Sequence, residues 1–190
     1  MQEFQNIAHT FEPIYNKESE ILILGSFPSV KSRENNFYYG HPQNRFWKVL
    51  GKVFGENTQN TSFYVNDSVI DKSISNKNLN DIFYVPQTIE EKKEFLLTNY
   101  IAIWDVIASC TISGSSDTSI RDVVVNDFTE ILKNSNISKI YVNGGKAYEL
   151  YRKYAEQKTG IKAIKLPSTS PANAAWNLDR LYEAWKIIKE

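Results

Sequence analysis

Hydrophobic positions along this chain repeat in two ways. Residues 21–24, 101–104, 137–142 and 161–166 form short apolar runs rich in Ile or Val, with no clean alternation over their whole length. Such runs suit parallel strands covered on both faces. Between them, apolar residues recur at helical spacing. Residues 43–54 place Phe46, Trp47, Leu50 and Phe54 on one side, residues 145–158 do so with Ala147, Leu150, Tyr151 and Tyr154, and residues 173–189 with Leu178, Leu181, Tyr182, Trp185 and Ile188. Thr88 and Glu91 have the spacing of a capping box that opens a helix running to residue 98. Asn126 is placed to cap a helix over 127–133. Strands alternating with helices predict an α/β fold, a three-layer α/β/α sandwich around a central four-stranded parallel sheet with right-handed crossovers. Residues 56–87, rich in Asn, Ser and Asp, stand apart as a surface insertion; runs at 63–65 and 82–85 suggest a small hairpin in it.

In such a sheet, ligands bind at the carboxyl ends of the strands. The loops that matter are then 25–44, 105–117, 143–146 and 167–173, and these hold most of the unusual polar side chains. Composition narrows the picture further. A chain of 190 residues, 42% hydrophobic and 13% aromatic, supplies one sizeable core and predicts a single domain over 1–190. Cys110 is the one cysteine and His9 and His41 are the only histidines, so neither a disulfide, a metal site nor a cofactor cluster is expected. No apolar run reaches the roughly 18 residues of a membrane span, and the N-terminus lacks the pattern of a signal peptide, which predicts a cytoplasmic setting. Net charge is zero, yet residues 137–190 carry 10 basic and 5 acidic side chains. Lys146, Arg152, Lys153, Lys158, Lys162 and Lys165 form either a phosphate-facing surface or merely the solvated faces of helices.

Two stretches carry the most distinctive chemistry. Gly25-Ser26-Phe27-Pro28-Ser29 follows the first apolar run, where glycine permits a sharp turn and a close approach to a ligand. In residues 37–47, Phe37, Tyr38, Tyr39, His41, Asn44 and Arg45 crowd the start of a helix. Aromatic rings there offer stacking faces for a planar base, and the Asn amide offers an acceptor and donors in one group. Phe46 and Trp47 are core, His41 is structural, and Asn44 has a helix cap as its alternative role. Asp105 at a strand end reads either as a turn residue or as a contact to the site, with the turn favoured; Cys110 reads as a small buried apolar residue, and residues 113–117 as a flexible loop without an assigned role.

Taken in order, these stretches resemble the uracil-DNA glycosylase superfamily. Residues 25–29 followed by His41-Pro42-Gln43-Asn44-Arg45-Phe46-Trp47-Lys48 are similar to the mismatch-specific uracil and thymine glycosylases. Ile140-Tyr141-Val142-Asn143-Gly144 resembles the strand ending in a base-contacting Asn, and residues 166–172 resemble the loop that grips DNA. Residues 25–29, Trp104-Asp105-Val106 and 166–174 together resemble the hypoxanthine-DNA (deoxyinosine) glycosylase branch. The resemblance covers nearly the whole chain except 56–87.

It implies a uracil-DNA glycosylase-like fold and a monofunctional, monomeric enzyme that acts on DNA containing a deaminated base, hypoxanthine or uracil. Phe27 stands where most of the superfamily carries a water-positioning Asp or Asn; in the hypoxanthine branch that role passes to the residue that is Asn44 here. Tyr39 would stack on the base, the backbone N–H groups of Ser26 and Phe27 would donate to it, and Asn143 would read its edge. Ser168, Ser170, Asn173 and Lys146 would face DNA; the wedge position falls near Ala172, too small to fill a vacated base stack. Two other readings stand beside this one. Phe27 could mark an inactive damage-binding relative, and Asn143-Gly144-Gly145-Lys146 could cradle phosphate in a nucleotide hydrolase or binding module, although the full phosphate-loop spacing is missing.

Overall fold

A computed structural model describes residues 4–55, 63–65, 68–70, 83–114 and 116–190. The strands are β1 (Gln5–Ala8), β2 (Ile21–Gly25), β3 (Phe63–Val65), β4 (Ser68–Ile70), β5 (Phe83–Tyr84), β6 (Ile101–Asp105), β7 (Ile107–Ile112), β8 (Arg121–Val125), β9 (Lys139–Asn143) and β10 (Ala163–Leu166). The α-helices are α1 (Val30–Glu34), α2 (Phe46–Phe54), α3 (Ile89–Thr98), α4 (Thr129–Lys133), α5 (Gly145–Tyr154), α6 (Glu156–Thr159) and α7 (Leu178–Trp185).

The four apolar runs become one parallel sheet in the order β10-β9-β2-β6. Their continuous hydrophobicity follows from burial on both faces. Ile23, Ile101, Ile103, Tyr141 and Leu166 pack against α2, α3 and α7 through Phe46, Leu50, Leu96, Leu181 and Trp185. The alternate residues Leu22, Leu24, Ala102, Ile140 and Val142 pack the other way, against Ile131 of α4 and Ala147, Leu150 and Tyr151 of α5. The three-layer α/β/α sandwich with its four-stranded parallel sheet is therefore present.

The second face carries more than helices. β1, β7 and β8 form an antiparallel sheet in the order β1-β7-β8, and Ile107, Cys110 and Ile112 of β7 enter that face's core. The loop expected over 105–117 thus contains a strand, which starts after a single residue, Val106, at the end of β6. A strap from the N-terminal region also lies along β6: Ile14 and Ile103 exchange backbone hydrogen bonds of 3.1 and 2.9 Å.

Helix ends follow their side chains. Thr88 and Glu91 make the expected capping box on α3. Asn126 does not cap α4: its amide donates to the Asp105 carbonyl at 2.8 Å, while the Asp127 carboxylate accepts the Thr129 N–H instead. The helix expected from 173 begins at Leu178, capped by Asn177, and the one expected to 158 breaks after Tyr154. Most of 56–87 lies outside the described residues; within it β3 pairs antiparallel with both β4 and β5, in keeping with the hairpin reading. Among the described residues no helix is long and apolar enough to cross a membrane.

Candidate active site

The carboxyl ends of the parallel strands converge on a cavity of about 120 Å³. Register brings Gly25 beside Asp105 and Leu166 beside Asn143, so the turns after β2, β6, β9 and β10 share one wall. Ser26, Phe27, Tyr39, Asn44, Asn143, Ser168 and Ser170 all line this cavity. Seven side chains singled out in the sequence, spread over 145 positions, are therefore brought together. Asn173 and Lys146 lie outside its lining. The Asn173 amide donates to the Ser168 carbonyl at 2.8 Å, and Lys146 makes a loose 3.6 Å pair with Glu149.

Thr169, passed over in the sequence between two candidate serines, joins the two asparagines. It is fully buried. Its N–H donates to Asn143 Oδ1 at 3.0 Å, and its hydroxyl accepts from Asn143 Nδ2 at 2.9 Å. The same hydroxyl donates to Asn44 Oδ1 at 2.9 Å. That oxygen also accepts the Phe46 N–H at 3.0 Å, a backbone donor that fixes which way the amide points. Asn44, one residue before the N-cap Arg45, therefore braces the first residue of α2 and faces the cavity at once. Its Oδ1 is satisfied twice, and its Nδ2 has no hydrogen-bond partner among the described residues. Such an amide can hold a water molecule by donating to one of its lone pairs.

Arg45 holds the opposite side of this junction. Its backbone N–H and Nε both donate to the Thr169 carbonyl, and its guanidinium reaches the carbonyls of Ser170, Asn173 and Trp176. One planar fork thus gathers the whole turn from 169 to 176 onto the start of α2. The indole of Trp185 anchors the beginning of that turn by donating to the Pro167 carbonyl at 3.0 Å. Within the turn, Ser168 and Ser170 accept backbone N–H groups through their hydroxyl oxygens, which leaves both O–H groups free to donate outward.

The aromatic wall is built under strain. Tyr39 has φ of 51°, a left-handed conformation that is costly for a bulky residue and that clusters at functional sites. One face of its ring stacks on Phe46, with centroids 3.8 Å apart. Among the described residues its buried hydroxyl makes no well-formed hydrogen bond, although the Asn143 side chain approaches it. Burial, and after it the charge of Asp105, push the Tyr39 phenol far above its ordinary value, so it stays protonated.

Three acidic or basic groups were not legible as site residues. Asp105, favoured as a turn residue, is instead buried at the cavity, and its Oδ2 pairs with Nε2 of His9 at 2.9 Å. Asp117, in the segment read as a plain flexible loop, also lines the cavity and accepts a 2.9 Å hydrogen bond from the Ser26 hydroxyl. His9 and Asp105 lie 96 positions apart, and Ser26 and Asp117 91. No local signal could have paired them.

Close approach explains Gly25. A Cβ there would sit 2.2 Å from Asp105 Oδ1 and 3.1 Å from the Tyr39 hydroxyl. Gly25→Ala is expected to displace Asp105 and cost about 2 kcal/mol or more, measurable as a lowered Tm together with reduced turnover.

The sequence profile described as "Uracil DNA glycosylase superfamily" matches residues 12–189, almost the entire chain. The chain belongs to the uracil DNA glycosylase superfamily. Among its relatives, a protein of Methanosarcina acetivorans named hypoxanthine DNA glycosylase is 31% identical over 183 residues, covering 96% of this chain and 98% of the relative. A Methanosarcina barkeri protein of the same name is 33% identical over 141 residues, 73% of this chain and 72% of the relative. A solution NMR structure of a Methanosarcina acetivorans protein provisionally assigned as a uracil DNA glycosylase superposes with a TM-score of 0.68 at 32% identity, covering 94% of this chain and 93% of that one. In the stretch 143–146 weighed as a phosphate cradle, the Gly144 N–H donates to the Leu166 carbonyl at 2.9 Å.

Proposed function

We propose that this protein is a monofunctional DNA glycosylase that removes a deaminated base from DNA, with hypoxanthine as its principal substrate and uracil as a further one. The observation that carries this reading is the Asn143–Thr169–Asn44 hydrogen-bond chain on one wall of a cavity shared with Tyr39. Relatives named hypoxanthine DNA glycosylase at 31% and 33% identity support the same choice of base.

Cleavage of an N-glycosidic bond passes through a sugar with oxocarbenium character and an electron-rich leaving base. The enzyme's task is to place one water under C1′ and to stabilise the departing base. Asn44 suits the first task. Its unpartnered Nδ2 orients water without acting as a base, and none is needed against so electrophilic a carbon. Asn143 suits the second: beyond its two bonds to Thr169 its amide has a further N–H and lone pair beside the Tyr39 hydroxyl, a donor and an acceptor for a lactam edge. Tyr39 stacks on the base through the ring face that Phe46 leaves open, a contact worth roughly 1–3 kcal/mol. Backbone N–H groups of Ser26 and Phe27 donate to the base. The outward O–H groups of Ser168 and Ser170 meet phosphates beside the flipped nucleotide, with Asn173 holding the turn and Lys146 adding positive charge. Extrusion of the base costs a few kcal/mol, less where it is mispaired, so weak pairing contributes selectivity before the pocket is reached.

The deciding measurement is base release from matched duplexes that each hold one deoxyinosine, uracil or xanthine. Abasic product from the deoxyinosine duplex is expected. Damage-specific binding with no abasic product from any of the three would favour the inactive, damage-binding alternative that Phe27 suggests.

A further inference from the structure

Among the described residues lining the cavity, the ionisable side chains are Tyr38, Tyr39, Asp105 and Asp117. The two phenols are pushed far up by burial and hold their protons. Asp105 is engaged with His9 through Oδ2. Asp117 differs from Asp105 in what holds it and in its exposure. Its Oδ1 takes the neutral Ser26 hydroxyl at 2.9 Å rather than a histidine, and its Oδ2 has no hydrogen-bond partner among the described residues. It sits on the short 3-10 turn Asp117–Ser119 between β7 and β8, exposed on one side and facing the cavity on the other.

A purine leaves a sugar more readily when its imidazole ring is protonated, because the base then departs neutral. Neither Asn44 nor Asn143 can transfer a proton, since both are amides. We propose that Asp117 is the general acid that protonates the leaving hypoxanthine at N7. This rests on the glycosylase reading above and deepens it. In the step, the C1′–N9 bond breaks and its electron pair goes to N9, while the Asp117 Oδ2 proton passes to N7. The base departs as the neutral 7H-tautomer. Water bonds to C1′ and gives up one proton to solvent, from which Asp117 takes one back, so the net reaction is hydrolysis.

The surroundings favour this role. Burial raises the Asp117 carboxyl above its ordinary value, the Ser26 hydrogen bond and the Lys146 ammonium of α5 oppose that, and Asp105 of β6 adds to it. Tyr39 and the Cys110 thiol of β7 also lie within electrostatic reach of that carboxyl, and burial pushes both upward. A raised carboxyl keeps its acid form to higher pH than a free Asp. The working form is the protonated one, so hypoxanthine release should fall as pH rises through that value, by about tenfold per pH unit beyond it.

The test crosses one residue with one substrate atom. Single-turnover release is followed across pH for the wild type, Asp117→Asn and Asp117→Glu, on duplexes with deoxyinosine, 7-deaza-deoxyinosine or deoxyuridine. Asp117→Asn should lose about 10²- to 10⁴-fold on hypoxanthine together with its pH dependence, whereas uracil, which has no N7, should change less than about tenfold. Asp117→Glu should recover part of the loss. The wild type should leave 7-deazahypoxanthine in place. Equal losses by Asp117→Asn on both bases with an unchanged pH profile would mark a merely structural residue and overturn the proposal. So would wild-type release of 7-deazahypoxanthine at the hypoxanthine rate, a comparison that needs no variant to fold. A wild type that releases uracil but never hypoxanthine would overturn both this step and the choice of base, while release of hypoxanthine undiminished in Asp117→Asn would sink the acid alone.

Discussion

Asn44→Ala is expected to lower base release by about 10²- to 10³-fold in single-turnover assays, the scale of losing one preorganised polar group at a reacting centre. The amide that would orient water disappears, while Asn143 and Tyr39 stay in place. Folding should survive. Asn44 Oδ1 accepts two hydrogen bonds, one from Thr169 and one from the first turn of α2, and their loss should cost about 1–2 kcal/mol. The Thr169 hydroxyl still keeps its bond from Asn143. Affinity for a damaged duplex, measured by fluorescence anisotropy, should therefore remain close to that of the wild type. Undiminished release by this variant would remove Asn44 from the chemistry and return it to the role of bracing the start of α2.

Arg45→Ala should be the most damaging substitution for stability. The guanidinium donates to the carbonyls of Thr169, Ser170, Asn173 and Trp176, in a turn that has no regular secondary structure to satisfy them. Hydrogen bonds from a charged donor contribute about 1.5–3 kcal/mol each and are not additive, so a total near 3–5 kcal/mol is expected. For a domain of this size that corresponds to a fall in Tm of roughly 6–20 °C. Arg45→Lys should rescue little, since one ammonium cannot span a planar fork of acceptors. Thermal melting decides the matter; a change of a degree or two would mean that the turn holds its shape without the clamp.

The layers of the fold were legible because each parallel strand is buried on both faces and so reads as an unbroken apolar run. β7 was not legible: it starts one residue after β6 and mixes Ser and Thr with its apolar residues, so the two strands blur into one segment and a loop. β1 is four residues long and largely exposed, with no pattern to detect. In the site, the residues carried by compact motifs came through, among them Asn44, Tyr39 and Asn143. Thr169 did not, although it lies between two residues that were singled out. Which of three consecutive small hydroxyl side chains turns inward depends on the register of β10 against β9 and on the Arg45 clamp, and neither is a local property. Asp105 and Asp117 gain their character from a buried His9 and from Ser26, each brought in across more than ninety positions.

The strap that runs past Ile103 has a bearing on solubility. β6 is an outermost strand of the parallel sheet, apolar until its last residue, Asp105, and such a strand with open amides invites a second chain to add on. The paired amide and carbonyl of Ile14 occupy one rung of that ladder. A variant with proline at position 14 would lose its donor there, and its concentrated solutions would be expected to form strand-paired aggregates that the parent chain resists.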